Sequence, residues 1–323
     1  MKLVKFEPIF KSTLWGGRRI ASLKGVEADD KHIGESWEIS AVDGSISVVS
    51  DGPERGMTLT ALIDKYKDQL VGHAVFDRYG NRFPLLVKFI DASLDLSIQV
   101  HPDDDLAEQR HGTRGKTEMW YVVDAAPGAS LLLGFKDSMT KEQYIDSVAR
   151  HTIADHICRY EVKKGDCFFI PAGRIHSIGA GIFLAEIQDM SDITYRIYDF
   201  NRRDDNGNLR QLHTDLAVDA IDYSVSDSYR TDYEAEDDKV AELVSCQHFS
   251  TSVLTLTKPV TLDLSARDSF TIVMVCEGEA LISADGEERH VSGGETLLVA
   301  ASVTSVTLTP SGDKKAVLLM SHL

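Results

Sequence analysis

Polar and apolar residues alternate with a period of two along many short segments of the chain, which is the pattern of β-strands. In residues 116–123, the alternation places Lys116, Glu118 and Trp120 on one face of a predicted strand and the intervening apolar residues on the other. A carboxylate and an ammonium group inside an enclosed barrel each need a partner, because an unpaired buried charge is costly. A cation at Glu118 and an anionic ligand at Lys116 would meet that need. The alternative is a Lys–Glu pair on an exposed strand face.

Three segments carry a helical pattern instead. Residues 58–71 have apolar side chains at helical spacing and predict an amphipathic helix. Residues 140–143 have the sequence of a capping box and predict a second helix that runs toward Arg150. Residues 213–223 predict a third. The polar and acidic stretch 224–238 is interpreted as a linker or surface excursion.

The segment from Gly165 to His176 has the most specific spacing in the chain, with glycine, proline, glycine and histidine at fixed offsets (G-x5-P-x-G-x2-H). Its first half is apolar, as a buried strand should be. Pro171 cannot donate to a strand ladder and therefore ends the strand, and Gly173 can take the positive φ of a tight turn. The spacing matches the second conserved signature of the cupin superfamily, whose terminal histidine is usually a metal ligand. The alternative is a hairpin in which the histidine is a satisfied core residue.

A second polar face follows from the alternation of residues 94–101, where Ser97, Gln99 and His101 point the same way. Together with Glu118 and His176, Gln99 and His101 form a set of nitrogen and oxygen donors without a thiolate. Such a set suits zinc, manganese, iron(II) or nickel. One carboxylate and three neutral ligands leave a dication with a formal charge of about +1, which attracts oxyanions.

With these motifs in place, the chain resembles the mannose-6-phosphate isomerases of the class I type in their short bacterial form. The segments that carry the resemblance are 15–17, 34–40, 97–102, 116–118, 165–176 and 191–196. Two positions depart from the expected patterns: Thr117 stands where the wider family often has proline, and Ala180 stands where the general cupin signature expects asparagine. Neither departure affects a candidate ligand.

The resemblance also implies roles for particular residues. The family's zinc ligands match Gln99, His101, Glu118 and His176. Arg196 matches the position taken as catalytic, and Lys116 and Glu186 match polar positions that line the family's active site. Because arginine stays protonated, Arg196 is expected to orient and stabilise substrate rather than to act as a base. The alternative for Arg196 is a structural salt bridge with Asp192 or Asp199.

Other parts of the predicted site stay open at this level. Glu186 could serve as the general base or could shape the pocket, and the sequence does not choose between them. Metal-bound water, Lys116 and the carboxylates near Trp37 are also open candidates for the base. No glycine-rich phosphate cradle is present, so Ser97 and Lys88 are the hypothesised phosphate-binding residues. Trp15 and Trp37 are expected to line the mouth of the site, although a lone tryptophan is more often a core residue.

The pattern of residues 162–170 recurs at 291–299, which indicates an internal repeat. Continuing the register places Ser305 at the position of His176. The second copy therefore keeps the spacing of the first and loses its histidine. The alternative is a chance similarity between two hydrophobic strands.

A second comparison extends the repeat to the predicted strand that carries Glu118. Matching Val123 to Val275 places Phe270 at the position of Glu118, which again removes the ligand from the second copy. The predicted fold is mainly β, with two jelly-roll (cupin) barrels and a few helices inserted in or flanking the N-terminal catalytic barrel. The predicted domains are therefore a catalytic cupin domain at 1–225 and a C-terminal cupin-like barrel without metal ligands at 226–323.

Composition narrows the class of protein. A chain of 323 residues with 43% apolar and 26% charged residues is typical of a globular protein, and no signal peptide or membrane span is evident. The formal charge of −17 argues against nucleic acid or an anionic membrane as a partner, so a phosphorylated substrate requires positive charge concentrated at the site. Four scattered cysteines without metal-type spacing fit a reducing cytoplasm. The oligomeric state is not readable.

The predicted function is a metal-dependent aldose–ketose isomerase that interconverts mannose 6-phosphate and fructose 6-phosphate through a cis-enediol, with one divalent metal per chain, most simply zinc. Two alternatives share the fold. A cupin-type metal dioxygenase would use similar ligands and consume oxygen, and a non-catalytic sugar-binding bicupin would keep the barrels without the polar residues around the metal.

Overall fold

The computed structural model describes residues 2–26, 32–203, 207–312 and 314–323. As predicted, the fold is mainly β. In chain order the strands of the described ranges are β1 (Leu3–Lys5), β2 (Ile9–Gly17), β3 (Ile33–Ile39), β4 (Ala41–Val42), β5 (Ser45–Ile46), β6 (Leu85–Ala92), β7 (Ile98–Val100), β8 (Glu118–Ala125), β9 (Ser130–Phe135), β10 (Ile157–Glu161), β11 (Cys167–Ile170), β12 (His176–Ser177), β13 (Ile182–Asp189), β14 (Tyr195–Tyr198), β15 (Arg230–Thr231), β16 (Val240–Ser245), β17 (Ser250–Leu256), β18 (Val260–Asp263), β19 (Thr271–Glu277), β20 (Glu279–Ala284), β21 (Glu287–Ser292), β22 (Thr296–Val299), β23 (Ser305–Pro310) and β24 (Ala316–His322).

Helices occur mainly in the first two thirds of the chain. They are α1 (Arg19–Lys24), α2 (Leu59–Tyr66), α3 (Asp68–Val71), α4 (His73–Tyr79), α5 (Asp104–His111), α6 (Lys141–Ala149), α7 (Thr214–Ala220) and a 3₁₀ turn (Ile153–His156). No helix in the part of the chain that the structure describes has the length and apolar character needed to cross a bilayer.

Two of the helix predictions are confirmed and one is corrected. Helix α6 begins with the predicted capping box, in which Thr140 and Gln143 exchange side-chain and backbone hydrogen bonds, and α7 lies within the predicted 213–223. The predicted continuous helix at 58–71 is wrong. It breaks at Lys67, whose φ of 49° lies outside the right-handed helical region, so α2 and α3 are separate.

The first barrel is formed by a seven-stranded sheet, in the order β15-β11-β8-β13-β6-β2-β3, and a five-stranded sheet, in the order β10-β9-β12-β7-β14. Apolar side chains from both sheets, including Trp120, Leu133 and Ile182, form one core between them. The other face of β8 carries Met119 and Tyr121 into a second, larger core. The alternation predicted for this strand is confirmed, because its two faces enter different cores.

The second barrel repeats this arrangement. Its sheets run in the orders β1-β22-β19-β24-β17-β16 and β18-β23-β20-β21. The larger core continues from the back of the seven-stranded sheet, through residues of α2 such as Leu62, to Phe270 and Val273 of the second barrel. The two barrels therefore share one packed core.

Strand pairing crosses the predicted domain boundary in both directions. Leu3 in β1 pairs with Val299 in the second barrel. Arg230 in β15 pairs with Phe168 in the first barrel, and neighbouring Tyr229 is buried and donates to the carbonyl of Phe135 at 3.2 Å. The interpretation of 224–238 as a linker or surface excursion is therefore wrong at its centre. The division at 225 stays a prediction.

The internal repeat needs a correction of one residue. Glu118 lies opposite Ile170 in the β8–β11 pair, and Thr271 lies opposite Val299 in the β19–β22 pair. Since Val299 is the repeat equivalent of Ile170, the counterpart of Glu118 is Thr271. The predicted match to Phe270 is wrong by one position, which in a strand means the opposite face.

Both strands carry a bulge at the corresponding residue. The pairing of β8 with β13 shifts register around Val123, and the pairing of β19 with β24 shifts around Cys276. Val123 therefore corresponds to Cys276, and the sequence match of Val123 to Val275 is out of register by one residue. The match of Ser305 to His176 fits the strand pairing. His176, at the start of β12, pairs with Gln99 of β7, and Ser305, at the start of β23, pairs with Asp263 of β18.

Candidate metal centre and active site

Three short segments bring the predicted ligands together. Gln99 in β7 pairs with His176 at the start of β12, Glu118 begins β8, and His101 follows β7 directly. The backbone N–H of Gly173 donates to the carbonyl of His101 at 2.8 Å, which ties the hairpin turn to the β7 segment. Gly173 has a φ of 88°, as its place in the motif predicts.

His101, Glu118 and His176 form a compact buried group. Their ligand atoms lie within 4.8 Å of one another, and each side chain is at most 1% exposed. The Glu118 carboxylate lies 3.6 Å from Nε2 of His101 and 3.4 Å from Nε2 of His176. This spacing leaves room for one ion between the three side chains.

Backbone carbonyls orient both imidazoles. Nδ1 of His101 lies 2.8 Å from the carbonyl of Ile193, and Nδ1 of His176 lies 2.8 Å from the carbonyl of Arg174. Because a carbonyl can only accept, each Nδ1 carries the hydrogen and each Nε2 keeps its lone pair. Burial lowers the pKa of both rings, to about 4 for His176. Both histidines are therefore neutral, as metal ligands must be.

The donor atoms fit a cation. Nε2 of His101 and Oε1 of Glu118 are buried and have no hydrogen-bond partner within the described ranges, a state that costs free energy unless a ligand satisfies them. Burial and the nearby Glu186 raise the pKa of Glu118, while Lys116 at 2.9 Å acts in the opposite direction. A divalent ion would satisfy these acceptors, and nitrogen and oxygen donors suit the zinc, manganese, iron and nickel group.

Gln99 completes the predicted ligand set only after a rotation. Its Nε2 lies 3.2 Å from Nε2 of His176, and the side-chain hydroxyl of Ser97 donates to its Oε1 at 3.5 Å. An amide nitrogen with two hydrogens cannot ligate a cation. A half-turn of the amide would present its oxygen to the ion.

Two lysines and two glutamates lie beside the ligands in a buried network. Lys88 Nζ lies 3.0 Å from Glu186 and 3.3 Å from Glu35, and Lys116 Nζ lies 3.7 Å from the same oxygen of Glu186. Trp120 Nε1 donates to the other oxygen of Glu186 at 2.8 Å. Burial alone would raise the pKa of Glu186, but Lys88 and Lys116 outweigh it and lower that pKa. Glu186 therefore remains ionised between two cations.

Arg196 lies in β14 and is half-buried. Its Nη1 donates to the carbonyl of Gln211 at 2.9 Å. Among the residues that the structure describes, Arg196 makes no ion pair with Asp192 or Asp199, so the salt-bridge alternative is not formed there. Asp199 accepts from Arg210 at 2.7 Å instead.

These side chains surround a cavity of about 370 Å³, which is the size of a small-molecule site. The predicted site residues in its wall are Trp15, Trp37, Lys88, Ser97, Gln99, Lys116, Glu186 and Arg196. Both tryptophans are buried, and Trp37 Nε1 donates to Glu35 at 2.6 Å. The structure thus brings the predicted substrate and catalytic residues into one wall, next to the ligand group.

The wall holds further polar residues. Glu35 holds both Lys88 and Trp37, and it is one of the carboxylates near Trp37 that the sequence left open as a base. Gln188, which is fully buried, and Arg210, which donates to Asp199, were missed by the sequence reasoning. No local spacing marks either of these two, because strand pairing places Gln188 and the contact with Asp199 places Arg210.

The fold and the site together define a cupin protein with a candidate divalent-metal centre beside a cationic cavity. Residues 3–124 match the family model of the phosphomannose isomerase type I catalytic domain, and residues 239–319 match that of the mannose-6-phosphate isomerase cupin domain. The chain belongs to the type I phosphomannose isomerase family.

Individual relatives agree with this family. The chain is 36% identical over 297 residues to the mannose-6-phosphate isomerase ManA of Bacillus subtilis (strain 168), with 91% of each chain covered. It is 32% identical over 305 residues to a mannose-6-phosphate isomerase of Streptococcus mutans, covering 93% of this chain and 94% of the relative. The crystal structure of a mannose 6-phosphate isomerase from Bacillus subtilis superposes with a TM-score of 0.89 at 30% identity and covers both chains fully.

Proposed function

We propose that the protein is a metal-dependent aldose–ketose isomerase that interconverts mannose 6-phosphate and fructose 6-phosphate through a cis-enediol intermediate. The observation that carries this proposal is the buried His101–Glu118–His176 group beside a cavity whose wall carries lysines and arginines together with acidic residues. Acceptor atoms of the group, Nε2 of His101 and Oε1 of Glu118, lack a hydrogen-bond partner in the part of the chain that the structure describes. Relatives named for this activity match more than nine tenths of the chain.

The proposed metal is one zinc ion per chain, held by His101, Glu118, His176 and, after rotation of its amide, Gln99. Zinc accepts this number and type of ligands. When bound, a divalent cation supplies Lewis-acid stabilisation of negative charge on substrate oxygens. The neutral histidines and the ionised form of Glu118 are the states that such binding requires.

The charge around the cavity supports the binding of a phosphorylated substrate, although the protein as a whole is acidic. Lys88 and Lys116 together with Glu35, Glu118 and Glu186 leave one net negative charge in the buried network. A bound dication reverses that sign, and the half-buried guanidinium of Arg196 adds a further positive charge. The cavity then attracts a phosphate group, since a low-dielectric cleft concentrates its local field while distant surface charges are screened.

We assign the cavity residues as follows. Arg196 and Lys116 donate to substrate oxygens, where negative charge develops as the proton moves between C1 and C2. Both oxygens of Glu186 are engaged, by Lys88 and Trp120, which favours a role in orienting the lysines over a role as base.

Substrate binding is assigned to the outer wall. Ser97 and Lys88 are the proposed contacts to the phosphorylated sugar, and Trp15 and Trp37 shape the wall around them. All four side chains line the cavity, which supports this assignment. Lys88 is also held by two carboxylates, so any contact it makes with substrate is made without leaving that network.

The cytoplasm is the proposed compartment. Cys158, Cys167, Cys246 and Cys276 are all free thiols, and two of them are buried. Free thiols persist in a reducing compartment.

The proposal is tested by a coupled assay of fructose 6-phosphate formation. Purified protein is stripped with a chelator and then restored with zinc, manganese, iron(II) or nickel, each with mannose 6-phosphate and with unphosphorylated mannose as the control sugar. We expect no turnover after stripping, recovery with metal, and a kcat/KM at least about 100-fold higher for the phosphorylated sugar. Full activity in the stripped protein would refute metal dependence.

The same preparation separates the two alternative functions. Oxygen consumption with the iron- or nickel-loaded protein, without sugar isomerisation, would indicate a dioxygenase. Calorimetric binding of mannose 6-phosphate to the metal-loaded protein without turnover would indicate a sugar-binding bicupin.

A further inference from the structure

A turn of the second barrel contacts the end of β13, a strand of the first barrel. His248 lies between β16 and β17, and its Nδ1 is 3.0 Å from Oδ2 and 3.1 Å from Oδ1 of Asp189. Asp189 is the last residue of β13, and its side chain is only 5% exposed. A side chain of the second barrel thus holds a buried carboxylate of the first.

Asp189 in turn holds the backbone next to a candidate ligand. Its Oδ2 accepts from the N–H of Thr117 at 3.0 Å, and its own N–H donates to the carbonyl of Thr117 at 3.0 Å. Thr117 lies between Lys116 and Glu118. The position of this peptide therefore sets where the ammonium and the carboxylate project.

Little apolar packing fixes this segment from the side of the second barrel. A cleft of about 520 Å³ lies there, and Lys116, Thr117 and His248 are among its lining residues. On this side, Thr117 is thus restrained directly by its hydrogen bonds with Asp189, which His248 of the second barrel holds in turn, rather than by close-packed side chains.

We propose that His248 is a positioning residue, which fixes Asp189 and through it the Thr117 peptide, so that Glu118 and Lys116 keep the geometry needed by the metal and the substrate. This inference rests on the proposed function for its effect on turnover and on the ligand group alone for its effect on metal binding. Partners that orient ligands from outside the coordination sphere change metal affinity or activity by about 10- to 100-fold when removed.

The ion pair is favoured by its surroundings. The hydrogen bond that His248 donates to Asp189 raises the pKa of His248, against the effect of burial; of the nearby charges, Asp104 raises it further while Arg114 opposes it. The protonated form of His248 therefore persists to a higher pH than that of a free histidine.

The experiment compares four variants of the full chain. His248→Ala removes the donor. His248→Asn and His248→Gln carry the same amide on side chains that differ by one methylene, and the shorter one places its amide nitrogen where Nδ1, the atom that contacts Asp189, lies in histidine. His290→Ala is the matched control, because His290 pairs with Glu279 at 3.2 Å within the second barrel's own sheet. The readouts are the zinc dissociation constant by chelator competition, the absorption spectrum of the cobalt(II) form, and kcat and KM with mannose 6-phosphate.

We expect zinc binding at least about tenfold weaker and an altered cobalt spectrum in His248→Ala and His248→Gln, recovery in His248→Asn, and no change in His290→Ala. Since Lys116 and Glu118 act in the chemical step, kcat should fall more than KM rises. If His248→Ala does not fold, the inference is tested by comparing the zinc affinity and cobalt spectrum of His248→Asn with those of His248→Gln.

Wild-type zinc affinity and cobalt spectrum in His248→Ala and His248→Gln would overturn the inference, even if the melting temperature falls. The metal readouts need no turnover. If the wild-type protein binds zinc without isomerising sugar, the proposed function fails while the inference on His248 is still tested.

Discussion

Strands β8 and β19 occupy equivalent positions in the two barrels, but only β8 carries a candidate metal ligand. Each carries a bulge at the equivalent residue, and each accepts a backbone hydrogen bond from a glycine of the following hairpin: Gly165 donates to Val122 at 2.9 Å and Gly294 donates to Val275 at 2.7 Å. The shared parts are those that the backbone needs to close a barrel.

The side chains at the matched positions differ. Counting from the paired registers, the residues of the first barrel and their counterparts in the second are Glu118 and Thr271, Gln99 and Asp263, His176 and Ser305, Glu186 and Met320, and Lys88 and Ser252. The fold is thus built without any ligand. At these five matched positions, the buried charges, which cost free energy, lie in the barrel that has the candidate cavity.

The largest expected effect comes from the residue that distinguishes the two strands. Glu118→Gln keeps the size of the side chain and removes the charge that holds the cation, so zinc binding should weaken by more than about 100-fold and isomerase activity should be lost. Thr271→Val is the counterpart in the second barrel and should leave zinc binding unchanged. Chelator competition measures both, and equal affinities in wild type and Glu118→Gln would show that the ion is held elsewhere.

A second comparison concerns stability without metal. Glu186→Gln leaves Lys88 and Lys116 buried with fewer partners, and we expect the free energy of unfolding to fall by about 3 kcal/mol. The counterpart Met320→Leu conserves volume in an apolar core and should cost less than about 1.5 kcal/mol. Urea unfolding of chelator-treated protein tests the pair, and similar costs for both would mean that the buried charges are not coupled as the distances indicate.

The sequence predicted the ligand group because the ligands are specified locally. Strand alternation fixes that Lys116, Glu118 and Trp120 share a face, and the proline and glycines before His176 fix its turn. Such features depend on neighbours within a few residues. The mainly β fold and the capping box of α6 were predictable for the same reason.

What the sequence missed depends on distant parts of the chain. Glu35 meets Lys88 because of the register between β3 and β6, and His248 reaches Asp189 from the other barrel. The one-residue error at Phe270 has a similar cause, since the register that relates the two barrels is set by pairing with distant strands, which a match of apolar residues alone does not reveal. The break of the helix at Lys67 likewise leaves the apolar spacing intact.

The smallest expected effect concerns the part that the barrels share. Gly165 and Gly294 have φ values of 88° and 86°, so an alanine at either position should cost about 1–2 kcal/mol of unfolding free energy from the backbone alone. An added Cβ at Gly165 would lie 3.5 Å from the Tyr233 hydroxyl, an ordinary contact, whereas at Gly294 it would lie 2.2 Å from a methyl group of Leu23. Gly294→Ala should therefore be the more destabilising of the two by urea unfolding. The double variant Gly294→Ala with Leu23→Ala separates the two terms: if the extra cost is steric, removing the Leu23 side chain relieves it, and if the extra cost persists, the two hairpins differ in backbone strain and are less alike than their hydrogen bonds indicate.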